Sequence, residues 1–310
     1  MSTHHTLDAS PQTVHWGHFD ATLEPCLAVR SGDRVTMTTV SGNLSQTPGR
    51  ERLLPAHAAV LDAVKPEVGP HIMTGPVAVE GAEPGDLLEV RIEDITLPCD
   101  WGFNVVMPLR GTLPEDFPEG QLIIVELDRA AGLGTLPFGM TVPLAPFFGV
   151  MGVAPPPGWG RVGSIEPRDF GGNMDLKELV AGTTLYLPVF VPGALFSVGD
   201  GHGAQGDGEV CLSAIETCLT GTFTLILHKA AGVRFPRAET PTHWITMGFN
   251  EDLDDAAKQA LREMIALLGE LKGLAPMDAY VLCSLAADLR VTQLVDGNKG
   301  IHAMLPKALL

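Results

Sequence analysis

The chain has 310 residues, 45% of them hydrophobic and 18% charged, which is enough apolar material for a large core and too little charge for a disordered chain. Its formal net charge is -17, so neither a nucleic-acid backbone nor an anionic membrane surface suits it as a partner. A neutral or cationic small molecule, or a metal ion, fits that field.

The N-terminal MSTHHTLDASPQT has no basic n-region and no apolar h-region, so no secretory signal is expected. Nor does any later run approach the roughly 18 apolar residues of a membrane span. Five cysteines without a CxxC pair point to reduced thiols, and the expected location is the cytoplasm. Turn-then-strand units recur along the first 230 residues: Ser31–Val40, Leu87–Leu97, Gly120–Arg129, Ala181–Val191 and Gly221–Ala230. In the second of these, Leu88, Val90 and Ile92 alternate with Glu89, Arg91 and Glu93, the period of a strand with one buried face. Gly139–Gly160 is rich in Gly, Pro and Phe and is predicted as long ordered loops of the kind that line binding sites.

From Leu253 the period changes. Ala256, Ala257, Ala260, Leu261, Met264, Ile265, Leu268 and Leu271 follow helical spacing, with Asn250 or Asp252 as N-cap. A second helix is predicted over Met277–Leu289, behind Pro276, then a strand at Val291–Asp296, a GNKG turn and a last apolar strand. The expected fold is β-rich α/β: packed β-sheets or a β-sandwich with a C-terminal helical layer. It would form one domain over residues 1–310, with β subdomains at 1–165 and 166–310 as a possible division.

Chemistry concentrates in Gly199–Glu216, GDGHGAQGDGEVCLSAIE, which sets Asp200, His202, Asp207, Glu209 and Glu216 among glycines. Imidazole and carboxylates are the usual ligands of divalent metals and the usual acid/base groups. Crowded carboxylates raise one another's pKa, which an ordinary surface turn has no use for. Gly201–Gly206 matches GxGxxG, but the flanking acids would repel a pyrophosphate and no helix follows. The acid spacing also fails the twelve-residue calcium loop. A purely structural glycine-rich turn remains as the plain alternative. Cys211 beside the loop is better explained as a small packing residue than as a nucleophile. His57, His228, His243 and His302 are better explained as core or surface histidines than as ligands.

GDGHGAQGDGE followed by AIE resembles the signature of the acetamidase/formamidase family. His71–Ile92, Gly149–Pro155 (GVMGVAP), Gly171–Leu176 (GGNMDL), Asp278–Ser284 and the closing LPK agree in order, so the resemblance runs from about residue 50 onward. It implies a β-rich amide hydrolase acting on formamide- or acetamide-type substrates with a divalent metal, zinc before calcium, in a homo-oligomer of two or more chains. By position it implies Asp200, His202 and His71 as metal ligands with Asp175 in reserve. Glu209 becomes the general base, with Asp207 and Glu216 beside it in the catalytic group. Asn173 and Gln205 would bind the amide or orient the ligands. Gly203 departs mildly from the pattern and the Val153–Gly160 loop is distinctive, which leaves substrate choice more open than mechanism. The alternative is a non-catalytic metal- or amide-binding protein on the same scaffold. Phe147, Phe148, Met151 and Trp159 are expected to favour acyl groups larger than formyl.

Overall fold

The strand Leu87–Thr96 shows how alternation builds the architecture. Leu88, Val90, Ile92 and Ile95 are buried while Arg91 and Glu93 face solvent. Glu89 breaks the pattern, buried but bonded to Arg91 and His228. In the computed structural model, which describes residues 2–310, this strand lies inside a nine-stranded sheet. Thr220–His228 and then Asp33–Thr38 lie on one side of it, Thr183–Pro188 and the later strands on the other. His4–Leu7 forms one edge, paired parallel to Asp33–Thr38; all other pairings in this sheet are antiparallel.

A second sheet, of eleven strands, runs from Thr141–Pro143 through Gln121–Asp128, Trp101–Val106, Glu216–Thr217, Phe196–His202 and Phe147–Gly152 to Gly171–Asn173. Ile72–Val79 also pairs with Phe196–His202. Each large sheet takes strands from both halves of the chain. Val90, Leu185 and Leu225 of the first sheet share one buried core with Met73, Val150 and Val198 of the second. Phe148, Phe196 and Phe223 interlock there, with ring centroids 5.5 and 5.8 Å apart. The arrangement is the expected packing of β-sheets with a helical C-terminal layer.

The helix Leu253–Lys272 starts where Asp252 accepts bonds from the N–H groups of Asp254 and Asp255, and ends at Gly273, φ 65°. Its apolar stripe of Ala256, Ala260, Met264, Leu267 and Leu268 packs on strands His243–Asn250 and Lys299–Pro306 in a core of its own. Gly248 permits the contact, since a Cβ there would stand 2.0 Å from Ala256 O. The second helix is Pro276–Ala286, with proline in its first turn. Among the described residues no helix is long and apolar enough to cross a membrane.

Two sequence expectations need correction. Gly139–Gly160 is not all loop: Phe147–Gly152 is a strand with all six residues buried, covered on both faces so that no alternation shows. Phe147, Phe148 and Met151 are therefore core residues, and Trp159 lies half exposed against Phe170. The strand predicted at Val291–Asp296 is Asp288–Gln293, which frees Asp296 from the ladder.

His15, on Val14–Trp16, ties the N-terminal region to the strand Phe196–His202. Its Nδ1–H donates to His18 O (2.7 Å) and its Nε2 accepts from Ser197 Oγ (2.9 Å). Burial pushes its pKa from 6.5 down to about 4, because a charged imidazole would lose its solvation and the serine bond. The folded-state value is depressed, so this contribution is present above pH 6.5 and lost as pH falls toward 4, with a ceiling of about 3 kcal/mol. Denaturant unfolding at pH 7.5 and pH 5 should show a larger acid loss for the wild type than for His15→Gln; equal losses would refute the assignment.

Candidate active site

Four segments bring their carboxylates to one end of the second sheet. Asp200 and His202 sit at the end of Phe196–His202, and Glu216 stands directly opposite His202 on the neighbouring strand. Cross-strand partners share a face, so His202 Nε2 lies 3.3 Å from Glu216 Oε2 and 3.1 Å from Asp200 Oδ2. Asp175 follows the strand Gly171–Asn173, and Glu209 sits in the loop after Phe196–His202, in a turn closed by Leu212 N–H to Glu209 O. His71 stands just before Ile72–Val79, its Nδ1 held by Ser164 and its Nε2 3.8 Å from Asp200 Oδ2.

Asp175, Asp200 and Glu209 have φ of 49°, 56° and 45°. Backbone of that kind costs about 1–3 kcal/mol per non-glycine residue and persists where the surroundings enforce it. Three such residues in one cluster mark a site shaped for something other than stability. Gly149 contributes in the same sense. A Cβ on it would stand 2.5 Å from Asp175 Oδ1, 2.7 Å from Asp200 Oδ2 and 2.8 Å from His202 Cε1, and its carbonyl holds the N–H groups of Met174 and Asp175.

His202 has a defined tautomer. Gln205 Nε2 donates to Asp175 O (2.9 Å), which turns Gln205 Oε1 toward His202 Nδ1 at 3.0 Å. Nδ1 must carry the hydrogen, and Nε2 faces the carboxylates. Orientation of a ligating imidazole through its other nitrogen is a regular feature of metal sites.

The charges are crowded and dry. Burial raises the pKa of Glu216 to about 7, only partly opposed by His202. Burial also pushes Asp175, Glu209 and Asp296 upward; Asp175 adds to the rise of both Glu209 and Asp296. Asp200 goes the other way: His71 and His202 outweigh its burial and hold it low. His202 is raised, Glu216 and Asp200 overcoming the opposing effect of burial. Both oxygens of Asp175, Oδ2 of Asp296 and Oδ1 of Asn173 are buried and receive no hydrogen bond from any N–H or hydroxyl group, Asp175 and Asp296 having only each other's carboxyl at hand. Three overlapping sets have ligand atoms within 4.8 Å of one another: Asp175, Asp200 and His202; His202, Glu209 and Glu216; and Asp175, Glu209 and Asp296. Oxygen and imidazole donors with vacant lone pairs fit a divalent cation of the zinc class.

These groups form the floor of a cavity of about 340 Å³, with Ile72, Phe103, Val105, Met107, Leu212 and Val295 along its wall. The structure thus gathers His71, Asn173, Asp175, Asp200, His202, Glu209 and Glu216 at one place, His202 directly behind the exposed floor. Asp207 is not among them. It points outward to Lys177 (3.0 Å) and Arg290 (2.6 Å), the lower-cost place for a charge on that loop. Gln205 stands behind His202 rather than in the cavity. Sequence reasoning missed Asp296, whose only signal was its place directly before the GNKG turn. It also missed the wall, since Phe103 and Val105 carry no motif.

Two packed sheets with this floor define a recognisable class. The chain belongs to the acetamidase/formamidase family, whose model matches residues 18–158 and 161–310. Over 98% of both chains it superposes on the crystal structure of an acetamidase from Bacillus halodurans, with TM-score 0.85 and 32% identity. A formamidase from Methylophilus methylotrophus is 30% identical over 193 residues, 45% of this chain and 47% of the relative. An acetamidase from Mycolicibacterium smegmatis is 30% identical over 203 residues, 45% of this chain and 49% of the relative. The chain spans about half the length of these two curated relatives.

Gly149→Ala tests how tightly the floor is built. Displacing two fixed carboxylates should cost about 1–3 kcal/mol, as overpacking does, read as a shift in denaturant midpoint. An unchanged midpoint would show that the floor yields freely.

Proposed function

We propose that the protein hydrolyses primary carboxylic amides to the acid and ammonia, with a divalent cation held on the cavity floor. One observation carries the reading: five carboxylates and two imidazoles converge at the closed end of a cavity whose wall is mainly apolar, several of their lone pairs unused. The names of the relatives supply the substrate class. His71 through Nε2, Asp200, His202 through Nε2 and Asp175 are the proposed holders of the cation, zinc first. Such an ion, when bound, polarises an amide carbonyl and makes water nucleophilic near neutral pH.

The chain's own groups do the rest. Asn173 Nδ2 donates to Ile165 O at 3.1 Å, leaving Oδ1 to accept from the substrate NH₂. Glu216 Oε1 is held by Ala214 N–H at 2.9 Å and its Oε2 faces His202, so Glu216 fixes the imidazole. Glu209 reaches the cavity and is the proposed base. It takes a proton from the attacking water and delivers it to the amide nitrogen as the C–N bond breaks. Burial raises its pKa, which suits a group that must both take and give a proton. Asp207 has no part in this scheme.

Ammonia release from formamide, acetamide and propionamide tests the reaction, and metal analysis of the same protein tests the cation. Bound metal with no turnover on any amide would favour a binding protein. Glu209→Gln should retain metal and lose roughly 10²-fold or more in kcat; near-wild-type turnover would remove it from the role. Asp200→Ala and His202→Ala should each lower bound metal, chelation should inactivate the wild type, and zinc should restore it. Full occupancy in both variants would place the ligands elsewhere.

We also infer a homo-oligomer. The helix Pro276–Ala286 exposes Met277, Tyr280, Val281 and Leu285, each more than half accessible, a continuous apolar face of the kind buried between subunits. Light scattering should give two or more chains for the wild type and fewer for Leu285→Glu. A monomeric wild type would end this inference.

A further inference from the structure

The cavity is far larger than the smallest amides require. At about 340 Å³, against the roughly 10–15 Å³ that one water needs by the same measure, it has room for far more non-hydrogen atoms than a small amide brings. The carboxamide group itself accounts for only three. Formamide would leave most of the space to water, against a wall that offers water few partners.

That wall is mainly apolar, with Ser41 and Arg110 as polar members besides Gln46 and Ser213. Phe103 and Val105 project from Trp101–Val106, and Met107 follows them toward the mouth. Ile72 and Leu212 face in from other segments. Of the polar side chains on the wall, Ser213 is engaged through its hydroxyl and Gln46 through its oxygen. Ser213 Oγ accepts from Val105 N–H and Asn104 Nδ2 and donates to Val105 O. Gln46 Oε1 accepts from Asn43 N–H. Unmatched polar lone pairs occur instead on the floor, at Asp175, Asp296 and Asn173. The polarity of the cavity is therefore graded: the amide end is defined by the floor and the acyl end mainly by hydrocarbon, with the Arg110 guanidinium also on the lining.

We propose that the site takes primary amides of apolar acyl groups well beyond acetyl, such as hexanamide or phenylacetamide, with the acyl group lying along Phe103, Val105 and Met107. This rests on the amide-hydrolase reading. Formyl and acetyl groups are too short to reach the outer wall from an amide seated on the floor. A longer group would displace poorly bonded water and cover that wall.

Ammonia release is measured across formamide, acetamide, propionamide, butyramide, hexanamide and phenylacetamide. Burial of each further methylene should raise kcat/KM by about fourfold, giving a gain of about 10²-fold from acetamide to hexanamide. A maximum at formamide or acetamide overturns the proposal. Val105→Phe fills the acyl end and should lower the hexanamide-to-acetamide ratio by at least tenfold; an unchanged ratio also counts against it. Competition binding of acetate, hexanoate and phenylacetate to the zinc-loaded protein separates this proposal from the reaction itself. If no amide is hydrolysed but the longer acids bind more tightly, the reaction reading fails and the apolar acyl site stands. If the acids bind equally, the acyl site falls too.

Discussion

Five carboxylates buried within reach of one another are the constraint around which the rest of the site is arranged. Each would prefer water, and each raises the energy of its neighbours' charged forms. The protein answers with two imidazoles, with protons on the groups whose pKa has risen, and with lone pairs left vacant at Asp175 and Asp296. A cation on the floor would replace those protons and use those lone pairs. The same constraint accounts for Asp207, the acid of the loop that turns away to Lys177 and Arg290.

Holding such a cluster takes rigidity. The floor is fixed by the paired strands Phe196–His202 and Glu216–Thr217, backed by Phe147 edge-on to the His202 ring at 5.0 Å. Gln205 fixes the tautomer from behind, and Ser164 does the equivalent for His71. Gly149 makes the space. Left-handed backbone at Asp175, Asp200 and Glu209 is the energetic cost of aiming three carboxylates at one point, and the interlocked phenylalanines between the sheets are the stable material that bears it.

Much of this was legible in the sequence because the relevant signals are local. Alternation at Leu87–Thr96 and helical spacing at Leu253–Lys272 both describe one buried face, and both elements formed as expected. The GDGHGAQGDGE run located His202, Asp200 and Glu209, since several acids and a histidine among glycines have few structural uses. Phe147–Gly152 was hidden because a strand buried on both faces has no period, and its flanking prolines suggested loop. Asp296 was hidden because its role comes from a fold that brings residue 296 beside residue 175, a fact no local pattern contains. Phe103 and Val105 lie on Trp101–Val106, a strand the sequence reading did not single out, and only the three-dimensional path shows that their face borders a cavity.

The interleaving of the two sheets has a consequence for how the chain is made. Leu87–Thr96 finds its ladder partners only at Thr183–Pro188 and Thr220–His228. At synthesis rates of about 5–20 residues per second, that strand waits roughly 5–25 s for them, both edges open and its apolar face uncovered. Pairing so distant in sequence is also slow once the chain is complete. Until those partners arrive, the exposed charges Arg91, Glu93 and Asp94 lie along an open strand, the kind of side chain that discourages pairing with another chain.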